Sequence, residues 1–311
     1  MNGTHGYALR ALGIGEIFDR AVTIYVRHFV VFTLMVLTLL APYNLVQYFA
    51  IPHSDATFAQ AIDQIAHPAA HTKDASLARA SLGLFVAAFL VLLLLSPFVA
   101  AAVAAGVAAL YSGERPRYAQ SFGLVLRRWP RIFGASLVEA LILVGTYVVS
   151  VMGLAILFVL AAVSIRPAFA LGVLLFALAG IAALAVLALF MLLLLSYAFA
   201  TYAAALESAN LGEAVGGAFR RIFNRREAGK ALLVALAYLA LEIGVVLLSS
   251  TIGVLLVYVV KSYALQLAVN ALITSALTAF LTIVLAVYYY DVRTRAEGLD
   301  LEVELQRLTA S

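Results

Sequence analysis

The chain has 311 residues, 65% hydrophobic and 12% charged, with a mean hydropathy of +1.06. Ordinary globular proteins run roughly 45–50% apolar and about 25% charged, so the surplus exceeds what an aqueous core hides, and both a disordered chain and a soluble enzyme are excluded. The net charge of +4 and pI near 9.3 belong to no soluble basic domain of the kind that grips nucleic acid, and the lack of cysteine removes disulfides and thiolate chemistry.

Met1 to Tyr7 lacks the basic and short apolar regions of a cleaved signal. An amphipathic helix follows, with Ile14, Ile17, Phe18, Ala21, Ile24 and Tyr25 on one face and Glu16, Asp19, Arg20, Thr23 and Arg27 on the other. It leads into apolar stretches at 28–50 and 81–110, kinked at Pro42 and Pro97. Between them, Phe58, Ile62 and Ile65 mark a short lid-like helix that Pro68 ends.

A second amphipathic segment, Gln120 to Arg131, precedes stretches at 132–163 and 168–202. A third follows, in which Asn210 and Glu213 form a capping box and Leu211, Ala214, Val215, Ala218 and Ile222 make the stripe. The last stretches cover 231–259 and 265–290, closed by Tyr288, Tyr289 and Tyr290 as an interfacial aromatic belt. Each stretch reaches the ~20 residues a spanning helix needs.

Superposing Glu16, Gln120 and Glu213 sets Phe29 beside Phe133, and Arg27 beside Arg131 and Asn224. The expected fold is therefore all-α: a polytopic membrane protein of six transmembrane helices, arranged as three repeats of an interfacial amphipathic helix plus a transmembrane hairpin. The repeats run about 12–110, 118–202 and 210–290 within a single integral membrane domain, with a tail over 291–311. Pro130 and Gly229 are the expected break points between interfacial helix and span. Of the 20 Lys and Arg, only Lys73, Arg79, Arg166 and Lys261 fall on one side, so both termini are expected in the cytoplasm.

Glu139 and Glu242 are the ionisable side chains inside these spans, and intramembrane carboxylates are costly enough to be candidate functional groups. Either could instead be a protonated, hydrogen-bonded link between helices, with Tyr147, Ser249 or Asn270 as partners. The arginines Arg127, Arg128, Arg131, Arg220, Arg221, Arg225 and Arg226 lie where anionic headgroups concentrate, and are candidate lipid contacts. His53, His67 and His71 with Asp55, Asp63 and Asp74 fit no zinc spacing and read as a solvated loop. No metal or cofactor is expected. HExxH, GxSxG and Walker motifs are absent, and no span carries a paired nucleophile and base.

The run Gly13-Ile14-Gly15-Glu16-Ile17-Phe18-Asp19-Arg20-Ala21 with Tyr25, Arg27 and Phe29, and the closing run Tyr288 to Glu302, resemble the bacterial glycerophosphoryl diester phosphodiesterase membrane domain family and related six-span proteins. The His-Arg pair and Glu-Asn-Thr triplet of that family's catalytic barrel do not occur. The resemblance thus implies the membrane half without the hydrolase, and no active site to carry over.

The Ala- and Arg-rich, Lys-poor composition suits a high-GC bacterium, and the expected place is a bacterial plasma membrane. The expected role is non-enzymatic: a scaffold or accessory subunit engaging membrane lipid or a partner protein through its cytoplasmic amphipathic helices. The other reading is a transporter or lipid-translocating protein working through Glu242 and Glu139.

Overall fold

A computed structural model describes residues 10–50, 94–165, 168–207, 210–259 and 262–298. Among these residues every regular element is a helix: α1 Ile14–Arg27, α2 Phe29–Ala50, α3 Leu94–Tyr111, α4 Tyr118–Arg127, α5 Trp129–Ser164, α6 Phe169–Leu206, α7 Leu211–Ile222, α8 Ala228–Val259 and α9 Tyr263–Glu297. The chain is a helical membrane protein in which α3, α5, α6, α8 and α9 are long and apolar enough to cross a bilayer. The pair α1 and α2, bent by 90° at His28, adds a sixth crossing if the two are counted as one broken span.

The helix ends follow from local chemistry. Gly113, at a φ of 79°, closes α3: its N–H reaches Leu110 O at 3.2 Å and that of Glu114 reaches Ala109 O at 2.8 Å. That pair of bonds is the Schellman pattern, which needs a left-handed residue without a Cβ. Pro130 lies in the first turn of α5, where its missing N–H costs no helical bond. Asn210 caps α7 in a capping box with Glu213, both bonds at 3.0 Å. The break before α8 falls earlier than Gly229: α7 ends at Ile222, and the carbonyl of Asn224 accepts from Glu227 and Ala228. Gly229 stands inside the first turn of α8.

Two compact units emerge. The first comprises residues 17–127 and 240–287, and the second comprises residues 9–16, 128–239 and 288–311, in each case over the described positions. In the first, Ile17, Ala21 and Ile24 of α1 are buried while Asp19 and Arg27 of the same helix are exposed. The Tyr25 hydroxyl donates to Ala276 O of α9 at 2.8 Å, and its ring meets Phe280 at 5.8 Å. Helix α3 presents small buried residues, Ala101, Ala102 and Ala104, and a Cβ added at Gly106 would stand 2.9 Å from the Phe32 ring of α2.

In the second unit, α5 and α6 form an antiparallel hairpin whose register is set by Phe158 with Phe176, Tyr147 with Phe190, Glu139 with Ser196, and Ser136 with Thr201. Helix α7 buries Ala214, Gly217, Ala218 and Ile222, and a Cβ at Gly134 of α5 would meet Leu211 at 2.5 Å. Of the apolar stripe of α7, Ala214, Ala218 and Ile222 are thus spent on protein packing, while Val215 is half-buried and Leu211 is exposed.

Small residues that let backbones approach take the place of a hydrophobic driving force between helices in lipid. Gly106→Leu, which forces a side chain into the Phe32 and Met35 contact, should destabilise the protein by about 1–3 kcal/mol. A lowered thermal midpoint in detergent checks this.

Candidate functional site

The polar groups of the second unit form three sets. In the first, Glu139 of α5 is 1% exposed, and its Oε1 accepts from the Ser196 hydroxyl of α6 at 2.9 Å. One turn away, the Ser136 and Thr201 hydroxyls lie 3.2 Å apart, and Thr201 donates to Tyr197 O at 2.9 Å. Positions 136 and 139 share a helix face by i, i+3 spacing, so the two rungs make a short polar ladder between one pair of helices. No Lys or Arg joins it among the described residues.

The second set surrounds Asp291 near the end of α9, whose side chain is fully buried. Lys230 of α8 approaches at 2.5 Å, the backbone N–H of Leu12 donates at 2.6 Å, and Arg295 donates at 3.2 and 3.3 Å. Lys230 and Arg295 also donate to Leu12 O, at 2.7 and 2.6 Å. Both lone-pair sides of the carboxylate are used, as a buried charge requires.

The third set surrounds Glu207, just past the end of α6. Arg221 of α7 lies at 3.0 Å, Arg293 of α9 at 3.4 Å, and the Tyr289 hydroxyl donates to the same carboxylate. Arg221 and Arg293 also stand over the Tyr289 ring, at 5.7 and 5.8 Å. Arg128 donates to Ala205 O at 2.8 Å and Glu207 O at 3.0 Å, filling carbonyls left open at a helix C-terminus and matching its negative end. Burial pushes the Glu207 carboxyl up, but the hydrogen bonds from Arg221 and Tyr289 and the charges of Arg221 and Arg293 outweigh it and hold it below the ordinary carboxylate value.

The two carboxylates named from the sequence belong to different units. Glu139 is buried in the second, with Ser196 as its partner and Tyr147 instead packed against Phe190. Glu242 lies on α8 in the first unit, half-buried beside exposed Ile243 and Gly244, and no hydrogen bond reaches it among the described residues. Ser249 donates to Val246 O of its own helix.

The candidate arginines divide in two. Arg128 and Arg221 are committed to the Glu207 set, whereas Arg127, Arg131, Arg220, Arg225 and Arg226 are exposed. The histidines and aspartates of 53–74 lie outside the described residues, and no metal-holding group of three His, Asp or Glu occurs among the described ones.

Glu207, Asp291 and Lys230 were not picked out by sequence reasoning. The Tyr288 to Arg295 run was visible as a signature, but the tyrosines are not an interfacial belt: Tyr288 and Tyr289 are fully buried against Phe199, and Tyr289 also meets Tyr202. Tyrosines at a span end look alike in sequence whether lipid or protein covers them.

Comparison with protein-family models, with curated proteins and with solved structures finds no match.

Because the Glu207 carboxyl is held below its unfolded value of 4.5, its contribution to stability is complete above that pH and is lost as the pH falls through the folded value. Glu207→Gln should cost about 2 kcal/mol at neutral pH. It should also flatten the acid limb of a melting-temperature profile taken from neutral pH downward.

Proposed function

We propose that this chain is a non-enzymatic protein of a bacterial plasma membrane, with six spans in three helix-plus-hairpin repeats, both termini in the cytoplasm, and a scaffold or accessory role. It engages an anionic surface, membrane lipid or a partner protein, through the arginines on its cytoplasmic helices. The likeness to the membrane half of the phosphodiesterase membrane domain family belongs to the same reading.

The observation that carries it is the outward face of α7 and its flank. Ala214, Ala218 and Ile222 of the apolar stripe of α7 are packed inside the unit, Arg221 is held by Glu207, and Arg220, Arg225 and Arg226 are exposed with no carboxylate partner among the described residues. An exposed basic cluster without partners is an electrostatic docking surface. Exchanging Arg220, Arg225 and Arg226 for Gln should leave the thermal midpoint within about 1 °C, since unpaired surface charges contribute little. It should abolish the cellular phenotype of the protein in a complementation assay. Full complementation by the triple variant would reject the reading. Topology is tested separately: cysteines placed at Ser76 and Ser311, both outside the described residues, should label from opposite sides of the membrane.

A second reading, a transporter or lipid-translocating protein, is favoured by one observation: the buried Glu139 carboxyl has a hydroxyl rather than a cation beside it. Under the scaffold reading Glu139→Gln, which keeps an acceptor for Ser196, complements. A stable but inactive Glu139→Gln protein would favour the transporter.

A further inference from the structure

The hairpin of α5 and α6 changes character along its length. From Leu141 to Val163, Ala161 is the sole buried residue of α5; from Phe169 to Phe190, only Gly172 and Ala179 of α6 are buried. Everything else there is half-buried or exposed, and apart from Thr146, Tyr147 and Ser150 of α5 it is apolar: Val149, Met152 and Ile156 on α5, Leu174, Ile181 and Leu184 on α6. Beyond this sleeve the pattern reverses. On α6, Met191, Leu193, Leu195, Ser196 and every residue from Ala198 to Ala205 are buried, and on α5, Ile132, Ala135, Ser136 and Glu139 are.

At 1.5 Å per residue the sleeve is about 33 Å tall, close to the ~30 Å hydrocarbon thickness of a bilayer. The whole hairpin is longer, 36 and 38 residues, or about 54–57 Å. Apolar surface that is exposed over a full membrane thickness belongs in hydrocarbon, so the protein-covered remainder projects beyond it. Glu139 then sits at the rim of the hydrocarbon, a few residues from Leu141. The level of Arg128 and Glu207 lies 13 positions below Leu141, a drop of ~20 Å; a steep 40° tilt cuts the drop to ~15 Å and the sleeve to ~25 Å, which leaves at least ~10 Å between that level and the hydrocarbon. The headgroup layer is only ~5–8 Å deep on each side.

The arginines of the α7 flank, one residue or a few from the Arg221 that Glu207 holds, therefore stand below the headgroups. Arg128, which donates to Glu207 O, and Arg221, which pairs with the Glu207 carboxylate, bring the start of α5 and the end of α7 to one level, and the residues next to them have the composition of a protein interface: Trp129, the single Trp of the chain, is 54% exposed, and Phe223 is 37% exposed. Exposed Trp and Phe amid Arg mark the residues that dominate protein–protein binding. We propose that the surface formed by Trp129, Arg131, Arg220, Phe223, Arg225 and Arg226 docks an acidic surface of a cytoplasmic protein partner rather than lipid headgroups. This rests on the anionic-surface reading above and names the class of its partner.

The test uses full-length protein in nanodiscs, and since the chain has no native cysteine, single-cysteine nitroxide labelling is direct. Labels at Leu137, Leu141, Met152, Val163 and Phe223 are compared for accessibility to oxygen and to a water-soluble nickel chelate. Met152 should be deepest, and Phe223 fully accessible to the chelate in both phosphatidylcholine and phosphatidylglycerol discs. An acidic peptide of glutamate and leucine should bind in phosphatidylcholine discs, and Trp129→Ala or the pair Arg220→Gln and Arg225→Gln should each weaken it roughly tenfold. A Phe223 label that enters the lipid when phosphatidylglycerol is present, or no peptide binding in phosphatidylcholine, hands the surface to lipid and overturns the proposal. If the arginine variants alter neither peptide binding nor phosphatidylglycerol retention, the anionic-surface reading itself fails.

Discussion

A carboxylate taken out of water must be paired, because an unmatched buried charge costs several kcal/mol. Asp291 is such a group, fully buried near the end of α9, and it is matched by Lys230 from α8, Arg295 from its own helix and the backbone of Leu12. Three segments far apart in sequence are tied at one point, 279 positions separating Leu12 from Asp291. Glu207 repeats the arrangement with Arg221 and Arg293, and Tyr289 joins the two sets through α9. The run Tyr288 to Arg295 is therefore a clasp: its tyrosines fill the interior around Phe199 while Asp291, Arg293 and Arg295 hold neighbouring segments.

That clasp also explains why so many arginines are unavailable for binding. Asp291 and Glu207 each recruit two cations, a favourable outcome where water is excluded and each hydrogen bond to a charge is worth about 1.5–3 kcal/mol. Arg221 is consumed in this way and Arg128 by the carbonyls of Ala205 and Glu207, and the candidate arginines that remain exposed are Arg127, Arg131, Arg220, Arg225 and Arg226.

The helical class, the apolar helices and their approximate limits were legible, because period, length and apolarity are local properties of a chain in lipid. So were the capping box at Asn210 and the buried stripe Ala214, Ala218 and Ile222, since both follow from i, i+3 and i, i+4 spacing. The break before α8 was legible only in part, because Asn224, not Gly229, supplies the carbonyl that turns the chain. Glu139 stood out as an acid in an apolar run, but its partner Ser196 is 57 positions away and is fixed by hairpin register, which no local pattern encodes. Asp291 and Glu207 were hidden for the same reason: at a helix end, a carboxylate reads as solvated until the partners from other helices are placed. The division of each long helix into an exposed sleeve and a covered base is equally a tertiary fact.

The claim that the closing run is a clasp is tested most directly by a double-mutant cycle on Asp291→Asn and Lys230→Met, read as unfolding free energy in detergent. A pair that exists to neutralise a buried charge makes each single change cost about 3–5 kcal/mol, and the two together much less than their sum, with a coupling of about 2 kcal/mol or more. Additive losses below about 0.5 kcal/mol of coupling would contradict it, and would leave Asp291 as a solvated residue rather than the point at which the segments are tied.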